Sequence, residues 1–162
     1  MRLLRQKFLA LRGYYDNQPG ALALYPEVPA ADPFQGHEPL NLKAFKSLIK
    51  DSIRDLSCNK RYNIWYEVWN APDLDGFFLG RKQEYLNLYR AVAESIKELR
   101  AESKMHIPVG GPSVSWWFQN VDGNTISTPQ KSLIYELIKF CYRFRLPLDF
   151  ISWHGFSTDP AA

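Results

Sequence analysis

From residue 41 to 56 the apolar positions Phe45, Leu48, Ile49, Ile53 and Leu56 recur every three or four residues. That spacing predicts an amphipathic helix with Asn41 as its N-cap. Residues 63–69 (NIWYEVW) are β-branched and aromatic, and they are bounded by Arg61 and by Asn70-Ala71-Pro72. They read as a strand. Residues 82–103 return to helical spacing, with Tyr85, Leu88, Tyr89, Val92, Ile96 and Leu99 on one stripe. A short strand over 107–111 closes in Gly-Gly-Pro. After a polar loop, Thr128-Pro129 has the cap-plus-proline signature of a helix start. That helix is predicted to turn Leu133, Ile134, Leu137, Ile138, Cys141 and Phe144 inward. A last strand, 148–153, leads to His154. Near the N-terminus KFLALRG (7–13) reads as a further strand after the tail of an earlier helix, followed by a long loop over 14–40.

Strands alternating with amphipathic helices predict βαβ units and a parallel sheet. The strands are apolar at nearly every position, as expected when both faces are covered. No GxGxxG or Walker-type loop follows any of them, so nucleotide-binding versions of the architecture lack their phosphate cradle. The chain's 162 residues suit one domain with a sizeable core, and 46% hydrophobic with 15% aromatic residues excludes disorder. The net charge of +3 comes from interspersed charges, and Arg2, Arg5, Lys7 and Arg12 are separated by Gln6 and otherwise by apolar residues. A nucleic-acid partner is therefore not expected. No apolar run approaches the roughly 18–20 residues of a membrane helix. The N-terminus lacks the uninterrupted apolar core of a signal peptide, and the compartment stays open. Cys58 and Cys141 are too few for a disulfide framework, with Cys141 expected as a buried thiol. His37, His106 and His154 show no metal-ligand spacing, so no metal site is expected.

The residues left over from the core pattern (Trp69, Asn70, Trp116, Trp117 and His154) all fall just after strands. In a (β/α)8 barrel that edge carries the active site. Residues 65–74, WYEVWNAPDL, resemble the fourth-strand signature of glycoside hydrolases of family 39, in which the strand ends in W-N-E-P followed by Asp or Asn. YLNLYRAVAESIKE (85–98) resembles the helix that follows, VGGPS (109–113) the fifth strand, and LPLDFISWH (146–154) the sixth. The likeness runs from about residue 60 to 156, extends back to about 40, and is thin before that. It implies a partial (β/α)8 barrel covering strands three to six. The whole of 1–162 would be one partial domain, with 41–162 holding the βα units and 1–40 a poorly matched strand and loop. Four strands cannot close a barrel. The chain is thus expected to be part of a larger enzyme, to self-associate through its open edges, or to fold differently at its ends.

The resemblance implies retaining hydrolysis of β-xylosidic or related O-glycosidic bonds, with carbohydrate as partner and neither cofactor nor metal. It also locates the departure. The position between Asn70 and Pro72 is that of the family's acid/base glutamate, and here it is Ala71. A methyl group delivers no proton, and retention requires two carboxylates about 5–5.5 Å apart. The family's nucleophile lies at the end of the seventh strand, whereas this chain ends just past the sixth, so both carboxylates are expected to be missing. Glu67 sits four residues earlier, roughly 13 Å deeper at about 3.3 Å per residue. Asp73 and Asp75 lie on the loop beyond, poorly placed for a preorganised acid.

By resemblance, Asn70 donates to the sugar 2-hydroxyl; the alternative is a turn-capping residue. Trp116 and Trp117 offer a stacking surface for a pyranose, with one of the two expected to stack and the other to fill the gap at the barrel rim. His154 matches a pocket histidine of the family, and a structural histidine is the rival reading. Trp65 and Trp69 are expected to fill barrel layers. The leading expectation is a glycosidase segment inactive as written; the alternatives are a sugar binder without turnover and a half-barrel assembly unit.

Overall fold

A computed structural model of the chain describes residues 7–11, 41–74, 77–115 and 132–154. The elements are β1 (Lys7–Leu11), α1 (Leu42–Ile53), β2 (Ile64–Val68), α2 (Lys82–Ser103), β3 (Val109–Val114), α3 (Leu133–Phe144) and β4 (Phe150–Trp153). The last turn of α1 widens into a π-helical stretch over Arg54–Asn59. Asn41 caps α1 as expected, its Oδ1 accepting from Ala44 N at 2.9 Å.

All neighbouring strands are parallel, in the order β1-β2-β3-β4. Each step between strands runs in the same direction across the sheet. Right-handed crossovers then put every helix on one face, the arrangement of a barrel sector. A doubly wound sheet reverses direction midway and covers both faces. The side chains of β2 record the same asymmetry. Ile64, Tyr66 and Val68 are buried in the core shared with the helices, while Trp65 and Glu67 on the opposite face are only half-buried. On that second face Trp65 meets Phe150 of β4, ring centroids 5.4 Å apart.

The core is built by the predicted stripe of α2, whose Tyr85, Leu88, Tyr89, Val92, Ile96 and Leu99 are all buried, with Phe45, Ile49 and Ile53 of α1 against it. Leu133, Ile134, Leu137 and Cys141 of α3 complete it. Close packing of β3 against β4 explains the first glycine of the VGGPS motif, which lies within β3. A Cβ on Gly110 would lie 2.3 Å from the Phe150 carbonyl oxygen and 2.6 Å from its Cγ, so β4 approaches where only glycine fits.

Several expectations change. The α3 helix runs from Leu133 with Ser132 as its cap, Oγ accepting from Tyr135 N at 3.1 Å, whereas the expected start at Thr128-Pro129 lies outside the described residues. Ile138 and Phe144 are exposed, at 44% and 41%, while Phe140 takes the inward position. The apolar surface of α3 is wider than its neighbours cover, and spacing alone cannot say which part faces in. Leu48 of α1 is exposed for the same reason. The strand expected at 107–111 runs over Val109–Val114, and the last strand begins at Phe150 rather than Leu148. Trp69 also departs from its expected place. Its φ of 70° breaks the β2 alternation, and the ring packs edge-on against Phe78 at 5.2 Å, away from the Trp65 face.

Candidate functional site

Among the described residues, six non-glycine positions have positive φ: Arg61, Trp69, Ala71, Lys104, Ser113 and Arg145. Lys104 and Arg145 are left-handed caps at the ends of α2 and α3, an ordinary use of that conformation. Trp69, Ala71 and Ser113 are different, because all three crowd the C-terminal ends of β2 and β3. Such conformations persist only where surrounding contacts impose them, and they concentrate at working sites.

The contacts that impose them are visible. Ala71 N–H donates to the Ser113 carbonyl at 2.8 Å, fastening the turn after β2 onto β3. Ser113 N–H donates to Ser152 Oγ at 3.1 Å, and His154 N–H to the Val114 carbonyl at 2.7 Å, fastening β4 in turn. Trp69 Nε1 donates to the Phe77 carbonyl at 3.2 Å. From the helical side the buried Tyr85 hydroxyl donates to the Val68 carbonyl at 3.2 Å. Burial holds that phenol well above its ordinary pKa, with Cys141 and Glu67 adding to the effect, so it stays a neutral donor.

Three side chains from three strand ends meet on this frame. Asn70 Oδ1 lies 3.1 Å from His154 Nε2 and 3.5 Å from Ser113 Oγ, and the latter two are 3.4 Å apart. Two residues singled out in the sequence, Asn70 and His154, are thus brought together. Ala71 sits beside them, 3% exposed and without any ionisable group. Trp116 and Trp117, like Asp75, lie outside the described residues.

Asp73 is fully buried, and both its oxygens accept from Ser115 N, at 2.8 and 3.0 Å, with Ser115 Oγ donating to it as well. Its carboxylate ties the turn after Ala71 to the end of β3 and points into protein. Ser113 and Ser115 were not expected here, and Asp73, placed by the sequence on the loop beyond Ala71, was not expected to be a buried tie to β3. The available signal was the pair of hydroxyl residues in VGGPSVS, polar groups inside a strand apolar elsewhere.

Among the described residues no three His, Cys, Asp or Glu side chains gather to hold a metal ion, and no helix is long and apolar enough to cross a membrane. A groove of about 590 Å³ lies elsewhere, lined by Ile138, Tyr142, Arg143, Leu146 and Leu148 among others. Leu146 and Leu148 precede β4, so this groove opens at the opposite end of that strand from His154.

A family model described as glycosyl hydrolases family 39 matches residues 37–162. A β-xylosidase of Caldicellulosiruptor saccharolyticus is 33% identical over 128 residues, 76% of this chain and 22% of that protein. One from Geobacillus stearothermophilus is 32% identical over 94 residues, 57% of this chain and 16% of that protein. The crystal structure of the GH39 enzyme from Xanthomonas axonopodis pv. citri superposes with a TM-score of 0.57 at 26% identity, covering 78% of this chain and 22% of that one. A monomeric β-xylosidase from Caulobacter crescentus CB15 gives 0.55 at 24% identity over the same shares, a likeness of fold. The chain thus spans about a fifth of the length of these two β-xylosidases.

Proposed function

The chain belongs to glycosyl hydrolase family 39, and on that premise we propose that it carries the glycoside-recognition side of a β-xylosidase-like site from which the proton donor has been removed. The observation that carries this reading is the 3.1 Å contact between Asn70 and His154 directly beside Ala71. The polar groups suited to hold a sugar converge at one end of the sheet, and position 71 offers a methyl where acid/base chemistry needs a carboxyl.

Retaining cleavage runs in two stages. A carboxylate attacks the anomeric carbon while an acid protonates the departing oxygen, and the deprotonated acid then activates water against the glycosyl-enzyme bond. Ala71 supplies neither proton nor base. Asp73 is committed to Ser115 and fully buried, which supports its having no part in the reaction. Glu67 lies four residues back in β2, on the face of Trp65. Asn70 is positioned to hydrogen-bond a sugar hydroxyl, a contact that strengthens in the transition state of an intact site. On the resemblance alone, Trp116 and Trp117 are proposed as residues that stack on the sugar.

The test uses xylobiose, not an activated aryl xyloside, because a sugar leaving group requires protonation and an acidic phenol does not. Titration calorimetry of the chain with xylobiose is expected to give heat, and product analysis no xylose. Release of xylose would overturn the loss of the donor, and absence of heat would overturn recognition.

A further inference from the structure

We propose that Ser113, together with His154, is a positioning residue that holds the Asn70 amide in one orientation, oxygen inward and NH2 toward the ligand. The proposal rests on Asn70 being a glycoside contact and adds which neighbours fix the amide that makes it. A carboxamide is nearly symmetrical in shape, and its two ends differ in hydrogen-bond sense: the oxygen accepts and the nitrogen donates. An unrestrained Asn presents either end. Here Oδ1 has His154 Nε2 at 3.1 Å and a donating Ser113 Oγ at 3.5 Å, so both of its acceptor positions are engaged.

The oxygen has no proton to give. Its pairing with His154 therefore requires hydrogen on Nε2, which excludes the neutral Nδ1–H tautomer. What remains of Asn70 is Nδ2, a donor only. A pocket arranged in this way selects a ligand atom with a free lone pair, such as a sugar hydroxyl oxygen, and disfavours a group that only donates.

Ser113 is suited to the task because its backbone is fixed from both sides. Its carbonyl accepts from Ala71 N and its N–H donates to Ser152 Oγ, joining the ends of β2, β3 and β4 through one residue. Serines in regular structure commonly return their hydroxyl to local backbone. This one instead faces two side chains, 43 and 41 residues away in the chain.

The experiment is nitrogen NMR on the labelled 162-residue chain, combined with xylobiose titration of the chain and of two variants. The unsubstituted chain is expected to show His154 as the Nε2–H tautomer and one sharp pair of Asn70 side-chain amide signals. In Ser113→Ala those signals broaden or double, and xylobiose affinity falls roughly fivefold, the worth of about one hydrogen bond. Ser113→Gly removes the hydroxyl while relieving the positive φ, and it is expected to give the same result even if Ser113→Ala does not fold. His154 found as the Nδ1–H tautomer would mean a reversed amide and overturn the proposal. So would Asn70 signals and affinity unchanged in the variants. If the unsubstituted chain gives no heat with xylobiose, the glycoside reading fails, while the tautomer and the Asn70 signals still decide whether the amide is held.

Discussion

Both carboxylate oxygens of Asp73 sit within 3.0 Å of the backbone nitrogen of Ser115, a residue 42 positions further along the chain. The pair closes the turn that carries Asn70 and Ala71 onto the end of β3. Asp73→Ala takes these acceptors away inside the protein and is expected to destabilise the fold by about 2–4 kcal/mol. Asp73→Asn, which retains one accepting oxygen, should lose about half as much. Urea denaturation midpoints of the two variants check the order.

Gly110 stands where β4 comes closest to β3. A methyl there would collide with the Phe150 carbonyl oxygen, a backbone atom that cannot swing aside. Gly110→Ala is expected to cost about 3 kcal/mol or more, as overpacking against fixed atoms does. The loss should also appear as faster amide exchange in β4. A stable variant with unchanged exchange would show that β4 shifts enough to accommodate the methyl without loss of pairing.

The stability of the chain should depend on alkaline pH through Cys141. Burial pushes its thiol up to about 12 from an ordinary 9.0, with the Tyr89 hydrogen bond opposing the shift. The unfolded chain therefore releases this proton first. The contribution is complete below about pH 9 and is lost as pH rises toward about 12. Tyr85 and Tyr89, raised by burial, act in the same sense. Cys141→Ala should flatten the fall in unfolding free energy between neutral pH and about pH 11, even though it lowers stability at neutral pH.

Lys46, Lys50 and Arg54 of the α1 segment face Glu94, Glu98 and Glu102 of α2 in a ladder of ion pairs, with Glu98 shared by both lysines at 2.8 and 2.9 Å. Lys50 and then Lys46 hold the Glu98 carboxyl below its ordinary range. The pairs are partly exposed, so Glu98→Gln is expected to cost only about 0.5–1 kcal/mol at low salt. The difference should vanish in about 1 M salt. A salt-independent loss would mean that Glu98 contributes through packing.

The sequence disclosed those parts of the molecule that repeat. The helix expected over residues 82–103 is Lys82–Ser103, and each of its six stripe residues is buried, because a helix covered along its length leaves a complete 3.6-residue signature. The stripe of α3 misled at Ile138 and Phe144, since that helix is apolar on more sides than its neighbours cover. Asn70 and His154 stood out as polar residues after strands, and parallel strand order brings such residues to one end of the sheet. The bonding roles of Ser113 and Asp73 were not legible. Their importance comes from backbone turns at Trp69, Ala71 and Ser113 that no periodicity announces, and from partners 42 or 43 residues distant.

The most direct test is chemical-shift mapping of the chain during titration with xylobiose. The strand-end site predicts that the largest changes fall on the Asn70 side-chain amide, the His154 ring and the Ser113 amide, with no xylose released over the titration. Changes centred instead on Ile138, Tyr142 and Arg143, or no changes at any residue, would contradict the assignment of carbohydrate recognition to the ends of β2, β3 and β4.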